Sequence, residues 1–372
     1  MRYVLPGIQL ESDRALEPFA LFESKENSDL FRVSLIVKKQ SFSGAKVLFS
    51  VQHDSMNVAM LEDGWIYASP RSKACVLHVS RDYTTFTVYV TEEQCWEEML
   101  LPLLRTALEC ASAAQGVVSL HSSCVVLEEK ALCLTASSGT GKSTRALSWE
   151  SGLGAEIISG DRPSISFRSA TLMACGVPWD GKEQIYCNKK VPLLAICNIR
   201  RGDFTRVRKL SPSQARRVLM QQCFIPMWDT NAAAMTMGLV GKLSRSANVY
   251  RVICGPSERD AHELKKIVYD QPDRILEMEK DMKIKSGFVL RNTAGEYVVM
   301  PTGKNISQFD GAIILNEVAA FVWEKMKESV SKEELLEYIL SEFDVCEDQA
   351  SSDLDVLLEK LRKYGVIEDE SI

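Results

Sequence analysis

Apolar and polar positions divide the chain into three stretches of different period. Up to about residue 100 the runs are short, β-branched or aromatic and partly alternating: Phe31 to Lys38, Lys46 to Val51, Val76 to Val79 and Thr85 to Val90. Period two marks a half-buried strand, and polar turns such as Glu26 to Asp29 and Arg81-Asp82 separate the runs. From Glu97 to Ala114 the period lengthens toward 3.6, with Met99, Leu100, Leu103, Leu104, Ala107 and Leu108 on a helical repeat. Between 117 and 270, strand-like runs (Val117 to Leu120, Ala131 to Leu134, Glu156 to Ser159, Leu193 to Ile199) interleave with helical ones (Lys142 to Ser151, Pro212 to Gln221). That interleaving predicts an α/β layer with a mixed sheet. The charged stretch Tyr269 to Lys285 reads as a helix or hinge.

From Ser286 the pattern restarts. Short strand candidates, Phe288 to Leu290 and Tyr297 to Met300, precede three helices. Asn316 caps Glu317 to Lys327, and Ser331 with Glu334 makes a capping box for Lys332 to Phe343. The third helix runs from Glu347 to Tyr364 and closes at Gly365. Leu335, Leu336, Ile339 and Leu340, then Leu354, Leu357, Leu358 and Leu361, supply its and its neighbour's apolar faces. The expected organisation is a β-rich domain over 1–100, an α/β domain over 101–272, a linker over 273–286 and a small domain over 287–372. No internal repeat or low-complexity tract interrupts it.

Composition excludes more than it selects. Of 372 residues, 46% are hydrophobic and 25% charged, which rules out disorder and fibrous repeats. The eleven cysteines are odd in number and form no Cys-x-x-Cys pair. A chain this long needs no staples, so reduced thiols in a cytoplasmic protein are expected. The four histidines lie too far apart for a zinc ligand pair. Neither a signal sequence after Met1 nor an apolar run of ~18 residues is present, so no membrane partner is expected. The net charge of −6 argues against nucleic acid. Its distribution is uneven: residues 1–100 carry a net −4, residues 101–284 a net +7 and residues 285–372 a net −9. A basic middle suits a domain that handles an anion.

The strongest chemical signal lies in that middle. Ala136-Ser-Ser-Gly-Thr-Gly-Lys-Ser-Thr144 follows an apolar strand and precedes a helix, the context of a phosphate-binding loop. Ser138, Gly139, Thr140, Gly141, Lys142, Ser143 and Thr144 would wrap a nucleotide's phosphates with backbone N–H groups at a helix N-terminus. Lys142 would reach the β- and γ-phosphates of ATP, and Ser143 would hold Mg²⁺. Ala136 stands where the first glycine of the pattern usually is, which a negative φ would accommodate. Asp161, after the strand Glu156 to Ser159, is placed to meet both Mg²⁺ and an acceptor hydroxyl, and Arg162 to clamp phosphate. A solvated ion pair at a strand end is the plainer reading of those two. Trp179 reads as loop packing, and Arg200, Arg201, Arg206, Arg208 and Lys209 as a solvated basic face.

His121, the loop from Ser138 to Ser143 and Asp161 resemble, in order and spacing, the HPr kinase family over roughly residues 115–270. The resemblance implies an α/β P-loop core of the HPr kinase/phosphoenolpyruvate-carboxykinase-like type that phosphorylates a serine hydroxyl. It implies Asp161 as general base and His121 as its support. Where HPr kinases carry two adjacent aspartates, Gly160 replaces the first, and the segment tied to their reverse reaction has no counterpart here. A one-way kinase is therefore expected. Oligomers are the habit of that family, although no feature of this sequence forces a homo-oligomer.

The tail, Phe288 to Glu368, is similar to PqqD and related precursor-recognition elements of ribosomally made, modified peptides. The similarity runs through Leu315-Asn-Glu-Val-Ala-Ala-Phe-Val-Trp323 and Leu361-Arg-Lys-Tyr-Gly-Val-Ile367. It implies a winged-helix-like (β3α3) domain that binds a leader peptide as an added strand beside the third helix. Together the two resemblances imply an ATP-dependent kinase acting on a Ser or Thr of a precursor peptide. HPr kinase relatives in lasso-peptide pathways are the nearest parallel. A small-molecule kinase and a nucleotide-binding scaffold without catalysis are the alternatives.

Overall fold

Alternation near the start of the chain produces, among the described residues, an eight-stranded sheet. The computed structural model describes every residue except 44–45, 54–55, 71–73, 92–95, 138, 180–184, 202–205, 255–258, 271–281, 294, 308–310, 329 and 370–372. The strands are β1 (Arg2–Leu5), β2 (Ile8–Ser12), β3 (Phe31–Lys38), β4 (Phe49–His53), β5 (Met56–Met60), β6 (Gly64–Ala68), β7 (Cys75–Ser80) and β8 (Thr85–Val90). Their order is β1-β2-β3-β8-β7-β6-β5-β4, with β2–β3 and β3–β8 parallel. Strict alternation in β7 sends Cys75, Leu77 and Val79 inward. Gly64 is required where β6 meets it, because a Cβ there would lie 1.9 Å from the Val79 carbonyl oxygen.

The buried face of this sheet shares one apolar cluster with α1 (Trp96–Ala113) and with Val177, Trp179, Phe224 and Trp228 from farther along the chain. The sheet and the α/β layer accordingly lie in one unit, Met1–Leu276, and Glu277–Ile372 is a second. Trp179 is a core side chain, 5% exposed.

The α/β layer contains β9 (Val117–Ser119), β10 (Ser122–Leu127), β11 (Lys130–Thr135), β12 (Glu156–Ser159), β13 (Ser164–Ser166), β14 (Met173–Cys175), β15 (Lys190–Arg201), β16 (Arg206–Lys209) and β17 (Val249–Cys254). The long strand β15 joins its two parts: its start pairs antiparallel with β14, and its end runs parallel to both β11 and β17. Helices α2 (Lys142–Leu153) and α5 (Arg259–Lys265) contribute to the core on one sheet face, through Ala146, Trp149, Ala261 and Leu264. On the other, α3 (Pro212–Gln222) and α4 (Thr230–Ser246) contribute Val218, Leu219, Val240 and Leu243.

Hydrophobic periodicity misses α4. Five of its seven buried residues are small or hydroxyl-bearing (Ala232, Ala233, Thr236, Gly241, Ser244), so no apolar stripe stands out. Its start is nevertheless written in Asp229, whose Oδ1 accepts from the Asn231 and Ala232 N–H groups at 2.9 and 3.0 Å.

In the second unit, β19 (Phe288–Thr293), β20 (Glu296–Pro301) and β21 (Ile313–Leu315) form an antiparallel three-stranded sheet. Helices α6 (Glu317–Lys325), α7 (Lys332–Glu342) and α8 (Glu347–Lys363) pack on it around Val322, Trp323, Leu335 and Leu358. Both expected caps form: Asn316 accepts from Ala319 N–H at 2.8 Å, and Ser331 and Glu334 make the reciprocal capping box. The stretch read as a helix or hinge contains instead β18 (Met282–Ile284), which pairs with β22 (Ile367–Asp369). Residues 271–281 of that stretch lie outside the described residues. A strand partner more than 80 residues away leaves no local periodicity to read.

Candidate functional site

The loop between β11 and α2 begins at Ala136. That residue is fully buried, and its φ is not among the left-handed values, so the methyl group is accommodated where the usual glycine would stand. Gly139 and Gly141 have φ of 78° and 98°, left-handed conformations that a side chain would strain. Gly141 is the N-cap of α2 and offers no side-chain acceptor to the helix's first N–H groups. Lys142, at the first helical position, folds back to donate to the Ala136 carbonyl at 3.1 Å. Ser143 and Thr144 follow in the first turn. Ser138 lies outside the described residues.

Antiparallel register brings His121 and Asp161 together. β10 pairs with β12 at Cys124 and Ser159, and Ser123 Oγ donates to the Gly160 carbonyl at 2.9 Å. Just beyond that contact, His121 Nε2 stands 3.6 Å from Asp161 Oδ1. Arg162 adopts a left-handed conformation, φ 55°, with its Nε 4.0 Å from Asp161 Oδ2. Such a conformation costs a non-glycine residue about 1 kcal/mol. The structure therefore gathers His121, Asp161 and Arg162 at one mouth. Burial, then the Lys142 ammonium, depresses the His121 pKa; Asp161 opposes this, and Arg162 and Arg105 add to the lowering. Burial also lowers Lys142, against the pull of Asp161. These influences bias the imidazole toward its neutral form beside Asp161, with Lys142, Arg162 and Arg105 as the cationic groups around it.

Supports for this mouth come from residues that local reading does not single out. The His121 N–H donates to the Gln222 carbonyl at 2.8 Å. Thr135 Oγ1 donates to the His121 carbonyl at 2.8 Å and lies 3.0 Å from Gln222 Oε1. Thr135, the last strand residue before the loop, is recognisable by position; Gln222 has no sequence signal. Arg201 departs from the solvated face expected for it: its Nη2 donates to the Gly139 carbonyl at 2.6 Å and its Nε to that of Thr140 at 3.4 Å.

The second unit holds a groove of about 620 Å³ between β21 and α8. Among the described residues β21 pairs only with β20, leaving an open edge. Apolar side chains at the groove are exposed, Ile314 at 67% and Val356 at 50%, while Asp353 and Lys360 give it polar ends. Ten described cysteines, over both units, are free thiols. No described helix is long and apolar enough to cross a membrane.

Fold and site together define a chain of two parts, a mixed α/β unit with a glycine-bearing strand-to-helix loop and a small unit with an open-edged sheet. Residues 296–367 match the family model described as Coenzyme PQQ synthesis protein D (PqqD), so the chain carries a PqqD domain at its C-terminal end. Comparison with curated proteins finds no match. Among solved structures the chain is similar to TbiB1 in complex with the TbiA(beta) leader peptide (21% identity, 24% of this chain and 99% of that one, TM-score 0.21). Another is lasso peptide synthetase B1 complexed with the leader peptide (18% identity, 24% and 98%, TM-score 0.21). A third is the Hpr(Ser) kinase/phosphatase from Coxiella burnetii (10% identity, 42% and 97%, TM-score 0.24).

Proposed function

We propose that this protein is an ATP- and Mg²⁺-dependent kinase that phosphorylates a Ser or Thr hydroxyl of a ribosomally made precursor peptide. The observation that carries the reading is the 3.6 Å approach of His121 to Asp161 beside Lys142 and the glycine-bearing loop. The loop N–H groups and Lys142 bind the β- and γ-phosphates. The Asp161 carboxylate takes the acceptor proton as the hydroxyl oxygen forms its bond to the γ-phosphorus. The bond from that phosphorus to the bridging oxygen breaks, and ADP leaves with the electron pair. His121, its pKa lowered chiefly by burial, orients Asp161; Arg162 faces the transferring group. Ser143 and Asp161 offer a hydroxyl and a carboxylate, hard oxygen donors that fit Mg²⁺ alongside phosphate oxygens and water. When bound, Mg²⁺ supplies positive charge against the phosphates.

The PqqD domain supports a peptide as acceptor. A leader segment would pair with the open edge of β21 and set alternate side chains into the groove beside α8. Tethering raises the local concentration of the core residue at the kinase unit to about millimolar. Labelled ATP and the precursor peptide encoded beside the gene test the reading. Label should reach the peptide and vanish with Asp161→Asn or Lys142→Ala, while leader binding by fluorescence polarisation persists. Tight peptide binding with no transfer would leave a nucleotide-binding scaffold; transfer to a free hydroxyl compound alone would make it a small-molecule kinase.

A further inference from the structure

We infer that Arg201 is a positioning residue that holds the phosphate loop in its binding shape, a role that deepens the nucleotide-binding reading above and rests on it. Parallel strand β15 is the neighbour of β11, and Thr135 stands opposite Asn198. β11 ends at Thr135, but β15 continues three residues farther, to Arg201. That overhang delivers a guanidinium alongside the loop. Its fork takes two successive carbonyls, Gly139 O at 2.6 Å and Thr140 O at 3.4 Å.

The consequence follows from the planar trans peptide, in which C=O and N–H of one group point in opposite directions. The Gly139 carbonyl shares its peptide with the Thr140 N–H, and the Thr140 carbonyl shares its peptide with the Gly141 N–H. With both carbonyls held outward by Arg201, both N–H groups are directed to the other side of the loop. There the Thr140 N–H makes only a long turn bond to the Ser137 carbonyl, 3.3 Å, which a phosphate oxygen would replace. Gly139 and Gly141, both with left-handed φ, impose little conformation of their own. An external clamp is what restricts them. A guanidinium suits the task because its donors lie in a rigid plane and match two acceptors at once, whereas an ammonium is a point charge. Arg201 itself is exposed, so its removal opens no cavity.

The test uses the full chain and calorimetric titration with MgATP, ADP and adenosine. Arg201→Ala should weaken MgATP and ADP at least tenfold, leave adenosine affinity unchanged and leave the melting temperature in place. Arg201→Lys should recover only a minor part of the loss. Guanidinium chloride at millimolar concentration, against KCl of equal ionic strength, should partly restore nucleotide binding to Arg201→Ala. Binding by Arg201→Ala within twofold of wild type would overturn the inference, as would full recovery by lysine, which would reduce the role to charge. A wild-type protein that binds MgATP no better than adenosine would instead overturn the nucleotide-binding reading itself.

Discussion

Replacing Tyr83 by Phe deletes one oxygen atom between the N-terminal sheet and helix α4, and the geometry sets the cost. The Tyr83 hydroxyl donates to Asp229 Oδ2 at 2.7 Å in a buried setting. The other carboxylate oxygen caps α4. Burial pushes the phenol pKa upward, so the hydroxyl remains a donor at any ordinary pH. Phenylalanine retains the ring and its packing; the bond to Asp229 is lost together with the hydroxyl's weaker contacts to Tyr67 and Cys110. A hydrogen bond to a charged group contributes about 1.5–3 kcal/mol, and the stranded carboxylate oxygen places the loss near the middle of that range, about 2 kcal/mol. With an unfolding entropy of about 2 cal/mol/K per residue, a unit of this size should melt about 3–4 °C lower. Scanning calorimetry of the full chain measures it. The sheet and the α/β layer share one apolar cluster, so they should unfold in one transition that shifts as a whole. The transition of Glu277–Ile372 should not move. A shift below about 1 °C, or a split in which the N-terminal sheet alone melts early, would refute the reasoning.

Asp161→Asn keeps the shape of the site but removes the proposed proton acceptor; turnover should fall about 10²–10⁴-fold, with nucleotide affinity changed only a few-fold, as single-turnover and binding measurements would show. Ile314→Asp places a charge on the exposed edge of β21; leader binding should fall at least tenfold by fluorescence polarisation, while stability stays within about 0.5 kcal/mol. Ser331→Ala removes half a capping box and should destabilise the PqqD domain by about 1 kcal/mol in urea unfolding. His121 titrates below its usual 6.5 in the folded protein, so below about that pH the unfolded chain binds the proton first. Stability should therefore fall as pH drops through 6.5, and His121→Gln should flatten that part of the pH–stability curve.

The candidate loop and several helix starts were legible because their signals are local. The loop announces itself through Gly139, Gly141 and Lys142 placed between a strand and a helix, and Asn316 and Ser331 mark helix starts through their own side-chain chemistry. Helices α7 and α8 were legible for the same reason, carrying leucines at regular spacing, whereas the PqqD likeness rests on the segments Leu315 to Trp323 and Leu361 to Ile367. What escaped the sequence depends on neighbours distant along the chain. Helix α4 hides because its buried face is made of alanine, threonine, glycine and serine. β18 escapes because its partner is β22, and Arg201 looks like one member of a solvated basic run until the overhang of β15 is known.

By itself, the sequence determined many of the strands and helices, the strand-to-helix loop that carries Gly139, Gly141 and Lys142, and the helix starts at Asn316 and Ser331. Periodicity, capping and glycine conformations are properties of a few consecutive residues, and they survive in any context. Tertiary structure alone decided that His121 meets Asp161 at 3.6 Å, that Tyr83 is tied to Asp229 across 146 residues, and that Arg201 grips the loop carbonyls. The first and last of those contacts are set by strand register and sheet order, and the second by the packing of a turn against the start of α4. A single-residue shift in register would turn the same side chains to the opposite face.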